Sequence, residues 1–146
     1  MLEQFGTSLF VANGPIVSFY GIPYPTRMAL AKLADGSVWV WSPVRLSEEL
    51  FNEVQAIGPV RHIVSPNKIH HLFLQEWKDR WPEARMYAPP GLVRRIPTLD
   101  FDTELGDDPE AAWDTEIDQI IFHGSFAMEE VVFFHRPSST AIFCDL

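Results

Sequence analysis

Residues 61–92 read RHIVSPNKIHHLFLQEWKDRWPEARMYAPPGL. The stretch opens on a short apolar run, His62-Ile63-Val64, of the length of a buried strand. Ser65-Pro66-Asn67 interrupts that run. A helical pattern follows, opening on two adjacent histidines, His70 and His71, with Asn67 as its expected N-cap. Phe73 and Trp77 share a face with His70 or Ile69, and Leu74 lies beside them. Pro82 stops the helix. Arg85-Met86-Tyr87-Ala88 reads as a second strand, closed by Pro89-Pro90-Gly91. Strand, loop, helix, strand is the βαβ unit. Its polar residues gather where the first strand meets the helix, which is where open α/β sheets place their sites.

Upstream, residues 8–11 and 16–20 read as short strands around an Asn13-Gly14-Pro15 turn. Residues 21–26 read as a constrained loop, because Pro23 and Pro25 fix φ. Residues 28–33 and 38–41 flank Asp35-Gly36, a strong hairpin signal. Val38 and Val40 alternate with Trp39 and Trp41, so both faces of that strand are apolar and covered. Ser47 is the expected N-cap of a helix, with Glu48 and Glu49 in its first turn. Leu46 and Phe51 are spaced as a hydrophobic staple. Leu50, Val54 and Ile57 form the stripe, and Gly58-Pro59 ends it. Downstream, residues 110–113 suit one helical turn, and an apolar run over 117–122 ends in His123-Gly124. Residues 130–135 and 140–144 form a further strand pair, and Asp145 follows at once.

A chain of 146 residues, 47% apolar and 21% charged, suits one domain with one core, or part of a larger core. No run approaches about eighteen apolar residues, so no membrane span is expected. The first ten residues have no basic n-region, so no signal peptide is expected. The single Cys144 permits no internal disulfide, which suits a reducing, cytoplasmic setting. Cys144 itself reads as a small core residue. Net charge is -9, but the excess is local: residues 99–118 hold nine acids and no Lys or Arg. That segment reads as a solvated acidic loop insertion, with a cation-binding loop as the alternative. Elsewhere eleven acids balance eleven bases, so no basic patch for nucleic acid is expected. Gly-rich phosphate loops and a G-x-S-x-G elbow are absent. Tyr24, Arg27 and Arg45 read as surface or packing residues, with the lining of a pocket as the alternative.

Four residues from the ends of these elements suit a metal: His70, His71, His123 and Asp145. Imidazoles and carboxylates take zinc, iron or manganese. In a first helical turn the field disfavours a protonated imidazole, and the neutral form is the one a metal takes. Packing or capping is the alternative role for each. No HxH, HExxH or paired cysteines accompany them.

Three blocks carry a resemblance. The first is Pro25-Thr26-Arg27-Met28 with Leu33-Ala34-Asp35-Gly36 and Ser42-Pro43-Val44. The second is Ser65-Pro66-Asn67-Lys68-Ile69-His70-His71 with Pro82-Glu83-Ala84-Arg85 and Pro90-Gly91-Leu92. The third begins Glu130-Val131-Val132-Phe133-Phe134-His135 and ends Asp145-Leu146. The chain resembles the DUF4336 family of uncharacterised proteins, which is similar to the metallo-β-lactamase fold. The resemblance implies an α/β fold, the αββα sandwich, of which residues 1–146 are expected to be the N-terminal part, truncated at the C-terminal end. The metal motif of that fold is T-H-x-H-x-D-H. Ser65 matches its threonine, Pro66 and Lys68 its first two histidines, His70 its aspartate and His71 its last histidine. His123 corresponds to a downstream histidine, and Asp145 to the metal-bridging aspartate. Pro66 has no ligating side chain and Lys68 is a poor ligand, so half of the usual dinuclear site is missing. Lys68 instead suits the place of the missing cation, holding Asp145 by charge.

Two functions follow. One is a metal-dependent hydrolase-like protein with a degenerate, at most mononuclear site, acting on a small molecule. The other is a non-catalytic binding or assembly protein, a homo-oligomer in its simplest form, on a scaffold that has lost its metal. Enzymes that use no metal form a third, smaller class.

Overall fold

The computed structural model describes residues 1–68, 70–125 and 128–145, with the backbone alone for Ser125 and Met128. Ile69, placed on a helix face by the sequence reading, and Leu146 lie outside the described residues. The first sheet runs in chain order: β1 (Glu3–Gly6), β2 (Leu9–Phe19), β3 (Ile22–Lys32), β4 (Val38–Trp41), β5 (Val60–Val64), β6 (Arg85–Ala88) and β7 (Thr103–Glu104). β1 to β4 pair antiparallel, and β4 to β7 pair parallel. Helix α1 (Glu48–Ile57) connects β4 to β5, and α2 (Leu74–Arg80) connects β5 to β6. The four-residue α3 (Leu92–Arg95) follows β6. A second, antiparallel sheet has the order β10 (Thr140–Ile142), β9 (Met128–His135), β8 (Ile117–Ser125). No helix among the described residues is long and apolar enough to cross a membrane.

The layers follow from strand alternation. Met28, Leu30, Val38, Val40, Ile63 and Met86 join Leu50 and Val54 of α1 and Leu74 and Trp77 of α2 in one core. Ala29, Ala31, Trp39, Trp41, Val64 and Tyr87 face the other way and meet Ile117, Val131, Phe133 and Ile142 of the second sheet. The double-sided apolar pattern of β4 thus fills two cores at once, as its alternation requires. The hairpin turns on Gly36 at φ 86, a conformation that suits glycine. Ser47 Oγ accepts from Leu50 N at 3.1 Å, capping α1 where the sequence placed it.

Three sequence readings need correction. Asn13-Gly14-Pro15 is no turn but a bulge inside one long strand. Asn13 faces Arg27 and Ile16 faces Pro25, so β2 carries one extra residue there. The 21–26 loop is the start of β3. Its prolines are tolerated because β4 pairs only from Ala29 onward, leaving the other edge open. The chain actually reverses at Tyr20-Gly21, both at positive φ. Finally, α2 begins at Leu74, so His70 and His71 lie in the loop before it. Asn67 Oδ1 accepts from His70 N at 3.2 Å, as a cap does, but Ser65 Oγ donates to the His70 carbonyl at 2.8 Å, taking the acceptor that a continuing helix would use.

The acidic segment is also more than a solvated loop. Trp113 and Leu105 are buried in the second core. Asp102 accepts from Met86 N at 2.7 Å, Glu104 from Gly91 N at 2.9 Å, and Asp107 from Ile121 N at 2.9 Å. Its carboxylates serve as acceptors for neighbouring backbone.

Candidate metal centre

The loop after β5 and the segment after β10 converge where the sheets meet. His70 Nδ1 lies 2.9 Å from Ser42 Oγ. Ser42 ends β4 at φ 52, a left-handed conformation that costs a non-glycine residue about 1 kcal/mol. His70 Nε2 lies 2.8 Å from Asp145 Oδ2. That approach is off the N–H axis, and the buried nitrogen makes no aligned hydrogen bond. The separation leaves no room for a water between the two atoms. The Tyr24 ring stands edge-on to the imidazole at 5.9 Å.

Asp145 is held from two further sides. Tyr24 donates its hydroxyl to Oδ1. Asn67 donates from Nδ2 to Oδ2 at 2.8 Å. Burial pushes the Asp145 carboxyl up, but the His70 imidazole beside it and the hydrogen bonds from Tyr24 and Asn67 bring it well below the usual carboxylate range. Burial, and then the Asp145 hydrogen bond, push the Tyr24 phenol upward, so it remains a donor.

Behind Asp145 stands Glu130, wholly buried on β9. Its Oε2 accepts from Cys144 N at 2.7 Å, and its Oε1 from Asp145 N at 3.0 Å. Oε1 also accepts from Cys144 Sγ at 3.1 Å and from Asn67 Nδ2 at 2.9 Å. Val131 N donates to Pro66 O at 2.9 Å, tying the same strand to the histidine loop. Burial, and then the Glu130 charge, push the Cys144 thiol upward, so it keeps its proton.

Among the described residues, His70, Cys144 and Asp145 are the set whose donor atoms all lie within 4.8 Å of one another. The orphaned Nε2 of His70, beside a carboxylate oxygen and a sulfur, suits one divalent ion of borderline softness. Binding would require loss of the thiol proton. A cleft of ≈ 130 Å³ opens on His70, walled by Phe19, Leu72 and Phe73, with Ser42, His71 and Arg95 among its lining.

Of the residues singled out from sequence, His70 and Asp145 come together. His71 lies half-buried on the cleft wall. Burial, and then Arg95, lower its pKa. His123 is exposed on β8, 2.5 Å from Glu129 Oε2 across the hairpin. Neither belongs to the three-donor set. Asp145 takes its contacts from Tyr24, Asn67 and His70. The Lys68 side chain lies instead along Gly91, where an added Cβ would stand 3.6 Å from its Cδ. Sequence reasoning missed Ser42, Glu130 and the place of Cys144 among the donors, since it read Cys144 as a small core residue, and it named Tyr24 only as an alternative pocket lining. A glutamate opening the apolar run 130–135 was the one visible signal for Glu130.

The family model for a domain of unknown function, DUF4336, matches residues 16–146. No curated protein sequence matches the chain. Among solved structures, the DIM-1 metallo-β-lactamase exposed to ceftazidime is similar at TM-score 0.69 and 14% identity, over 92% of this chain and 64% of that one. A metallo-β-lactamase from Pontibacter korlensis is similar at TM-score 0.70 and 12% identity, over 92% and 66%. TMB-1 is similar at TM-score 0.67 and 10% identity, over 92% and 65%. These likenesses show the fold, the αββα sandwich. The chain spans 64% of the length of the DIM-1 enzyme.

Proposed function

The chain belongs to the DUF4336 family, and from that premise we propose that it is a metal-dependent, hydrolase-like protein with a degenerate site for at most one metal ion. The observation that carries this reading is the convergence of His70 Nε2, Cys144 Sγ and Asp145 Oδ2 beside a cleft. These three residues would hold the ion. A bound divalent ion supplies Lewis acidity toward a carbonyl or phosphoryl oxygen. The chain's own groups do the rest. Ser42 orients the imidazole through Nδ1, the partner of a ligating histidine that keeps the ring in place. Tyr24 and Asn67 hold the carboxylate. The apolar wall of the cleft suits a small molecule with an apolar part. Among the described residues, no group of three close donors includes His71 or His123.

Elemental analysis of protein purified without chelator tests the reading. The expected result is about one equivalent of zinc, iron or manganese, lost in His70→Ala and kept in His123→Ala. No metal, with a melting temperature indifferent to chelator, would overturn it. That outcome favours the second reading, a metal-free binding or assembly protein. Its own support is that both Asp145 oxygens already have donors from the chain.

A further inference from the structure

We infer that the Asn67 carboxamide stands in for a cation among Glu130, Cys144 and Asp145, and so sets how many ions this centre can take. The limit of one ion rests on the function proposed above, but the stand-in role does not.

Two carboxylates and a sulfur surround one amide nitrogen. Asn67 Nδ2 lies 2.9 Å from Glu130 Oε1, 2.8 Å from Asp145 Oδ2 and 3.3 Å from Cys144 Sγ. The orientation of the amide follows from its partners. Three acceptors face the nitrogen, whereas Oδ1 faces the His70 N–H at 3.2 Å. A flipped amide would set its oxygen against two carboxylates. Both Asn67 and Glu130 are wholly buried, so solvent cannot screen the Glu130 carboxylate. Buried carboxylates need donors or a counter-ion. The two amide protons serve the two carboxylates, and the thiol proton serves Glu130. Every acidic group in the cluster is thereby satisfied by neutral donors from the chain.

The amide nitrogen therefore occupies the point within hydrogen-bonding reach of all three acidic side chains. While it stays there, a cation can enter only on the His70 side of Asp145. The resemblance suggested Lys68 for this role, by charge. The geometry points to its neighbour, which does the same by dipole and at less cost in desolvation, because a neutral amide is easier to bury than an ammonium.

Asn67→Asp tests this. It keeps the size of the side chain and replaces the two donors with a third carboxylate. Purified without chelator, this variant should hold about one equivalent of divalent metal more than the wild type. In chelator it should melt below the wild type, and added Mn²⁺ should raise its melting temperature by more than it raises the wild type's. Wild type with one ion and variant with two supports both this inference and the proposed function. Wild type with none and variant with one sustains this inference and overturns the function. Equal metal content and an equal response to Mn²⁺ would overturn the inference, whatever the wild type holds. Should Asn67→Asp fail to fold with or without Mn²⁺, Asn67→Ala decides. It removes the donors without adding charge, so Mn²⁺ should raise its melting temperature by several degrees more than the wild type's, and an equal rise sinks the idea.

Discussion

His62, on β5 and 8% exposed, is a titratable group held neutral chiefly by burial. Its Nδ1 lies 2.9 Å from the Tyr87 hydroxyl, and the Trp113 ring stands edge-on at 5.5 Å. Burial lowers its pKa to about 4. The unfolded chain titrates near about 6.5, so between those values it binds a proton that the folded chain refuses. The stability from keeping His62 neutral is full above that unfolded value and is lost as pH falls toward the folded one. From pH 7 to pH 5 the loss from this group is about 2 kcal/mol. His62→Phe should flatten that dependence, measured by urea unfolding at the two pH values. An unchanged slope would assign the effect to His71 and His135, whose pKa values burial also lowers. At the same scale, Asn67 shows how little one residue's identity says by itself. An asparagine after Pro66 announces a cap. That it bonds Glu130 and Asp145 requires two strands from far along the chain.

Among the elements, the β2 bulge is the part most sensitive to a small change. An added Cβ at Gly14 would stand 2.4 Å from Thr26 Oγ1 and 2.6 Å from Val44 Cβ. Thr26 cannot simply turn away, because its hydroxyl donates to Pro15 O at 2.7 Å. Gly14→Ala should therefore destabilise by about 1–3 kcal/mol, through crowding of close-packed neighbours. Guanidinium unfolding would measure this, and a cost near zero would mean that the bulge is pliant. The α1 cap and the Asp35-Gly36 hairpin were legible in advance because a few adjacent residues decide them. The bulge was not, since Asn-Gly-Pro is equally compatible with a turn. The choice lies with pairing to β3 and the close approach of Thr26 and Val44.

At the scale of the whole molecule, Trp113 ties the acidic segment to both sheets. Its ring meets Trp39 at 6.1 Å and Tyr87 at 4.8 Å, and its Nε1 donates to Gln119 Oε1 at 3.1 Å. Truncating a wholly buried tryptophan removes a large apolar volume and leaves the Gln119 acceptor short of a donor. Trp113→Ala should cost about 3–5 kcal/mol, read as a fall in the denaturant midpoint. A loss below about 1 kcal/mol would mean that the segment is only loosely seated. The outer face of the second sheet is the contrasting surface, with Ile120 59% and Phe122 48% exposed.

The sequence by itself determined the strands and helices whose signals are local: the βαβ order around residues 61–92, the α1 cap, the β3–β4 hairpin and the last strand pair. It also placed β4 between two covering layers, because apolar residues at period two on both faces admit no other arrangement. The family resemblance added the sandwich and pointed to His70 and Asp145. Only the tertiary structure decided which polar groups meet. Glu130, Cys144, Asp145, Asn67, Ser42 and Tyr24 come from five separate stretches of chain, and a hydrogen bond between distant residues leaves no periodicity to read. It also decided that the acidic segment is bound rather than free, since a carboxylate finds a backbone N–H only once the strands have set that N–H in place.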